Sequence, residues 1–251
     1  MHLDLTGKKI IVTGASSGIG FAISESLLKS GATVALHYNS GKNGIELLLE
    51  KYKNAIAYHA DLSKTENCIS LFEKIEKEFD KIDMLVQNAG IFEEHATHIS
   101  NENWLEIWQK TIKINLDAVG ILTKLSIEHY KRNQGGRIVY VASRAAFRGE
   151  TEENLAYAAS KGGVVSLART VARSFGKYGI TSFILAPGFT ETPMAEEYIL
   201  KHGIESLINE SSIKKLTQPE DIAPIVNLIA AGFMDHATGS TIDFNAGSYI
   251  H

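Results

Sequence analysis

Tyr157 and Lys161 stand four residues apart in Tyr157-Ala-Ala-Ser-Lys161, within a run whose apolar spacing is helical. Side chains at that separation stack on one face of a helix. A phenol titrates near about pH 10, so at neutrality it exchanges protons readily only where a fixed positive charge favours its phenolate. Lys161 is spaced to supply that charge. A surface Tyr and Lys at the same spacing is a common coincidence, and the rest of the chain has to distinguish the two.

The elements that would position the pair alternate along the chain. Residues 10–13 form a short β-branched run that leads into Gly14-Ala-Ser-Ser-Gly18-Ile-Gly20, and residues 21–29 then show helical periodicity. Further strands are expected at 33–38, 55–59, 82–87, 137–142, 181–186 and 240–244, and helices at 45–52, 66–79, 101–132, 155–178 and 219–231. Strictly alternating strands and helices, with near-continuous apolar strands, imply a parallel sheet covered on both faces. Right-handed crossovers make it doubly wound. The fold class is therefore α/β: a Rossmann-type sheet of seven strands with helices on both faces. With no linker, repeat or composition break, residues 1–251 read as a single domain for dinucleotide binding and catalysis.

In such a sheet ligands bind at the carboxyl ends of the strands, which puts Gly14, Gly18 and Gly20 at the ligand edge. Missing side chains let the backbone turn tightly and approach a pyrophosphate, whose charge is met by free N–H groups at the helix N-terminus. Ser16 and Ser17 can add hydroxyl donors. The spacing G-x-x-x-G-x-G departs from G-x-G-x-x-G, so its position after the first strand carries the reading.

Composition narrows the partners. The 251 residues are 44% apolar, and the formal charge of -4 is spread without a basic block, which argues against nucleic acid or an anionic membrane surface. The single cysteine, Cys68, excludes an intrachain disulfide framework and disfavours a cysteine-based zinc site; no metal site is expected. The longest apolar stretch is broken by Pro224 and Asn227, and no apolar leader precedes the first strand. A soluble, cytoplasmic protein acting on small molecules is the expectation.

Thr13-Gly-Ala-Ser-Ser-Gly-Ile-Gly20, Asn88-Ala-Gly90, Ser143, Tyr157-x-x-x-Lys161 and Pro187-Gly188 occur in an order and spacing that resemble the short-chain dehydrogenase/reductases, in particular their short single-domain branch and the 3-oxoacyl-carrier-protein reductases. The likeness covers nearly the whole chain, and five motifs in order are far more specific than any one. It implies that Tyr157 is the general acid in carbonyl reduction or the base in alcohol oxidation. Lys161 would lower the tyrosine pKa and bind the nicotinamide ribose, and Ser143 would orient the substrate oxygen. Asn115, in Lys113-Ile-Asn-Leu-Asp117, would interrupt a helix and support a water that links the lysine to solvent. Gly14, Ser16, Ser17, Gly18, Ile19 and Gly20 would hold the pyrophosphate. Asp61 and Leu62 would meet the adenine, and Asn88, Ala89 and Gly90 would pass its ribose, with Gln87 standing where asparagine is commoner. Pro187, Gly188, Thr190 and Thr192 would bind the nicotinamide carboxamide.

The resemblance further implies a substrate lid at about residues 189–212 and a homotetramer, with Trp104 and Trp108 as interface or core anchors. NAD users of the family place an acid at the end of the second strand; here that position is Tyr38, followed by Asn39 and Ser40. NADP(H) is accordingly favoured and NAD(H) retained, although the arginine common among NADP users is absent. Three functions remain open: an NADP-dependent carbonyl reductase, with an acyl-carrier-protein thioester as one substrate; an NAD-linked alcohol, sugar or polyol dehydrogenase; and a non-catalytic dinucleotide-binding sensor or scaffold. A docking patch for an acyl-carrier protein would draw on Arg132, Arg144, Arg148, Arg169, Arg173 and Lys177.

Overall fold

Apolar runs too short for helices become strands β1 (Lys9–Val12), β2 (Thr33–Tyr38), β3 (Ala55–His59), β4 (Met84–Gln87), β5 (Gly136–Val141), β6 (Ile180–Pro187) and β7 (Thr241–Phe244). In the computed structural model, which describes residues 3–250 apart from the side chains of Glu197 and His202, all seven join one parallel sheet in the order β3-β2-β1-β4-β5-β6-β7. The doubly wound sheet expected from the alternation is thus observed. Strand order reverses between β1 and β4, and their carboxyl ends flank the crevice where such sheets take ligands.

Successive side chains on a strand point to opposite faces, so Ile10 and Val12 enter one core while Ile11 enters the other. Helices α1 (Gly18–Lys29), α2 (Lys42–Lys51) and α10 (Pro219–Ala230) cover the first face. The second is covered by α3 (Thr65–Phe79), α5 (Ala118–Arg132) and the 21-residue α7 (Leu155–Phe175). Helix α10 begins with Pro219 after a Gln218/Asp221 capping box, and α4 (Asn101–Ile112) begins after Ser100, whose hydroxyl accepts from the Asn103 N–H. The smaller helices α6 (Ala145–Arg148), α8 (Pro193–His202) and α9 (Ile204–Glu210) all lie beyond the carboxyl ends of β5 and β6. Among the described residues no helix is long and apolar enough to cross a membrane.

Side-chain competition for the backbone explains the shifted boundaries. The fourth strand starts at Met84 rather than residue 82 because the Ile82 N–H donates to His129 Nε2 at 2.9 Å and Asp83 accepts from the Lys9 N–H. The helical stretch 101–132 is continuous but widens into a π-helical turn at Lys113–Asp117. Helix α6 has no counterpart among the expected elements, since four residues are too few to show a period. Gln87 reaches sideways beneath the sheet, donating to Thr123 Oγ1 at 2.8 Å and to the Val119 carbonyl.

The tightest crossing lies where α1 leaves the glycine turn. A Cβ at Gly20 would sit 2.1 Å from the Gly14 carbonyl oxygen and 2.4 Å from Asn88 Nδ2. Gly120, in α5, has open space around the same position. Gly20→Ala is therefore expected to lower the urea midpoint by the equivalent of about 1–3 kcal/mol. Gly120→Ala should raise it by up to about 1 kcal/mol. Equal midpoints for the two variants would show that α1 shifts without cost.

Candidate active site

Every strand ends on the same edge, so the sequence motifs that follow them gather there. Thr13 ties the first two together: its hydroxyl accepts from the backbone N–H groups of Asn88 and Ala89, both at 3.0 Å, while Asn88 Nδ2 donates to the carbonyls of Thr13 and Gly14. This clasp holds the Asn88–Ala89–Gly90 turn against the glycine loop. Gly90 brings the turn close to Asn115 and Lys161, since a Cβ there would lie 3.2 Å from Asn115 Oδ1 and 3.5 Å from Lys161 Nζ.

One continuous cavity of about 360 Å³ runs along the edge, from Ser16, Ser17, Gly18 and Ile19 at one side to Ser143, Tyr157 and Lys161 at the other. Gly14, Asn39, Ser40, Asp61, Leu62, Asn88, Ala89, Gly90, Pro187, Gly188, Thr190 and Thr192 also line it. Tyr38, Gly20 and Asn115 do not. Tyr38 packs its ring 5.3 Å from that of His59 instead. Gly20 acts through the close crossing described above. Asn115 lies in the π turn, where its carboxamide accepts from the Ile91 N–H at 2.8 Å and donates to the Ile91 carbonyl and Ser160 Oγ.

The glycine loop fits a pyrophosphate. Ser17 makes no side-chain cap, and the first turn of α1 carries no acid, leaving its N–H groups open to an anion. The segment after β6 crosses from the other side: Thr192 approaches Gly18 so closely that a Cβ there would sit 2.9 Å from Thr192 Cγ2. His37 supports the loop from below. Its Nδ1 accepts from the Gly14 N–H at 3.2 Å and its Nε2–H donates to the Ala60 carbonyl at 3.0 Å. Burial pushes its pKa down to about 4. A neutral ring with one fixed tautomer thus bridges β1 to β3, a role that sequence could not signal because position 37 reads only as a strand residue.

At the other end Lys161 is buried, with Nζ donating to the Val141 carbonyl at 2.9 Å and lying 5.7 Å from the centre of the Tyr157 ring. Burial pulls the Lys161 pKa down to about 8. Tyr157 departs from expectation. Burial drives its pKa up to about 12; the Ser143 hydroxyl beside it pulls the other way and Glu150 adds to the rise. The spacing alone suggests a lysine that lowers the phenol, but in the free chain desolvation sets the direction, and the ammonium donates to the Val141 carbonyl. Ser143 itself accepts from the Ala145 N–H at 3.1 Å, which fixes its oxygen at the head of α6.

Several wall residues carry no motif in the sequence. Phe92 meets Tyr157 edge-on at 4.8 Å and Tyr198 at 5.9 Å, and Tyr198 stacks on Phe189 at 5.0 Å. Arg144, buried next to Ser143, reaches Ser248 Oγ and Glu210 Oε2, the latter at 2.9 Å, with its guanidinium 4.9 Å from the Phe189 ring centre. Arg148 shares Glu210 at 3.3 Å. Only proximity in the fold could identify this group.

These motifs recur in known proteins. Residues 8–203 match the short chain dehydrogenase family, and the chain belongs to it. It is 31% identical to the 3-oxoacyl-[acyl-carrier-protein] reductase FabG of Escherichia coli, over 99% of this chain and 100% of that protein. It is 28% identical to glucose 1-dehydrogenase 2 of Bacillus subtilis, over 100% and 98%. A crystal structure described as a short-chain alcohol dehydrogenase from Sinorhizobium meliloti superposes with a TM-score of 0.89 at 25% identity, covering 99% of this chain and 98% of that one. The protein is an NAD(P)-dependent oxidoreductase.

The buried ammonium has a measurable cost. The unfolded pKa of Lys161 is about 10.5 and the folded one about 8. Both states hold the proton at pH 7, and the folded state bears the desolvation; between pH 8 and 10.5 the folded state releases its proton first, so stability rises with pH there. Lys161→Met should be more stable than the native chain at pH 7, by on the order of 3 kcal/mol, and that advantage should shrink by pH 10. Urea unfolding at both pH values checks this; a gap that does not change with pH would mean that the ammonium is solvated.

Proposed function

We propose that the chain transfers hydride between NADPH and a carbonyl or secondary alcohol, with Tyr157 as proton donor or acceptor, Ser143 orienting the reacting oxygen and Lys161 providing the positive charge. The observation that carries this reading is the meeting of the Ser143 and Tyr157 hydroxyls in the cavity that begins at the glycine loop. The dinucleotide, when bound, supplies or accepts the hydride. Its oxidised ring would add a second positive charge near Tyr157, which together with the Ser143 hydroxyl would offset the burial that raises this phenol in the free chain. Asn115 holds Ile91 and Ser160 on either side of the lysine, and we assign it the part of a support for Lys161. Helix α8, which brings Met194 and Tyr198 to the cavity wall, is assigned with α9 after it as the substrate lid.

The preference for NADPH rests on the end of β2. No acid follows it to accept from a ribose 2′-hydroxyl, and Asn39 and Ser40 line the cavity there. Helix α2 starts immediately beyond, with Lys42 and no acid in its first turn. It packs on the glycine loop so closely that a Cβ at Gly44 would lie 2.0 Å from the Ser16 carbonyl oxygen. A 2′-phosphate would be met by these donors and by the open end of α2.

An acyl-carrier protein as substrate carrier finds less support, because the arginines nearest the site already have partners. Arg144 and Arg148 share Glu210, and Arg132 pairs with Glu76 at 2.7 Å. A pure dinucleotide sensor would need the glycine loop but not the Ser143, Tyr157 and Lys161 group.

Two measurements test the reading. Tyr157→Phe should lose at least about 100-fold in kcat, the lower end of general acid catalysis, while its Kd for dinucleotide, followed by fluorescence titration, stays within about 3-fold of the native value. Retained turnover would remove Tyr157 from the chemistry. With one ketone, kcat/KM for NADPH should exceed that for NADH, and the opposite order would reverse the cofactor assignment.

A further inference from the structure

Glu150 lies in the loop between α6 and α7 and lines the cavity beside Tyr157. Its side chain is 9% exposed, and its ion pair is a long one, 3.5 Å to the Arg148 guanidinium. Among the described residues no hydrogen bond reaches its carboxylate. A carboxylate can accept several hydrogen bonds, and the long pair to Arg148 leaves Glu150 acceptor capacity to spare. Its field is felt at the reacting end, where it raises the proton affinity of both Tyr157 and Tyr198.

Two further features of the wall complement it. Arg144 carries five donors, of which Ser248 and Glu210 take two, and its side chain is only 3% exposed while lining the same cavity. Phe92, Phe189 and Tyr198 present aromatic surface between these charges. An acceptor, a donor and aromatic faces around one reacting centre suit a compact molecule that carries hydroxyl groups on a carbon frame. An acyl chain in the same place would offer no partner to the hydrogen-bonding capacity that Arg148, Glu210 and Ser248 leave free on Glu150 and Arg144, and an anionic substrate would meet the Glu150 carboxylate.

We propose that Glu150 is a specificity-determining residue whose carboxylate accepts hydrogen bonds from substrate hydroxyls, so that the enzyme selects polyhydroxylated ketones and polyols over simple ketones and acyl thioesters. This rests on the hydride-transfer reading above and names the substrate class for the same site. Arg144 meets the remaining hydroxyl or carbonyl oxygens of such a substrate.

The test compares erythrulose, butanone, aminoacetone and an acetoacetyl thioester as substrates for the native enzyme and for Glu150→Ala and Glu150→Gln. Erythrulose should exceed butanone in kcat/KM by roughly 10- to 100-fold, the worth of one or two hydrogen bonds to a charged group. That ratio should fall towards one in Glu150→Ala and lie between in Glu150→Gln, with the loss mainly in KM. Dinucleotide Kd and the urea midpoint of each variant verify its fold. Binding of erythritol to the dinucleotide complex, measured by calorimetry, reads the same preference without turnover.

A preference for butanone or the thioester, a stronger preference for aminoacetone, or a ratio that survives in Glu150→Ala would each overturn the assignment. If no ketone turns over but erythritol binds the native complex and not that of Glu150→Ala, the hydride-transfer reading fails and the role of Glu150 stands. Turnover without any dependence on Glu150 removes that role and leaves hydride transfer standing. Neither turnover nor erythritol binding would overturn both.

Discussion

A lysine ammonium buried at the wall of the cavity is the constraint around which the site is arranged. Lys161 donates to the Val141 carbonyl at the end of β5, and burial drags its pKa down to about 8. A charge in that position is unfavourable for the chain alone. Its neighbours crowd it: a Cβ at Gly90 would lie 3.5 Å from Nζ, and the Asn115 carboxamide bonds Ile91 and Ser160 alongside. The long helix α7, anchored on the sheet by Val164, Ala168 and Val171, keeps the lysine from swinging out to solvent.

The same burial governs Tyr157, and in the opposite sense. Desolvation penalises whichever form is charged, so it raises a phenol and lowers an ammonium. Both groups are thereby moved from their ordinary values before any ligand arrives. The lysine becomes easier to neutralise and the tyrosine harder to ionise, which keeps a proton on the phenol in the free chain. A positive charge placed beside the two groups would lower the pKa of each. Perturbed pairs of this kind cluster at functional sites because the geometry that costs stability also sets reactivity.

Beyond the pair, charge is arranged more loosely. Glu210 is shared by Arg144 and Arg148, and Arg148 also reaches Glu150, so four side chains form a neutral network from the buried side of Ser143 to α9. Its outer members are partly exposed and contribute little to stability on their own. Arg144 differs, because its guanidinium is enclosed and lies against Phe189. It links the segment that follows Ser143 to Glu210 at the end of α9.

Much of the fold was legible in the chain itself. Alternating apolar runs specify the strands and the helices between them, and parallel β-α-β crossovers leave few topologies, so the seven-strand sheet and the gathering of motifs at one edge followed from local pattern and chirality. Four-residue spacing also announced Tyr157 and Lys161. What local pattern could not convey is which residue wins a competition between distant groups. Tyr38 and Gly20 stay off the cavity wall although their motifs pointed to it, since ring packing and a backbone crossing claim them. His37 and Arg144 acquire their contacts from neighbours 23 to 104 residues away, which local pattern does not reveal. The sign of the Tyr157 shift was decided the same way. Spacing measures how near two groups can come, whereas desolvation depends on everything packed around them, and that exists only once the chain is folded.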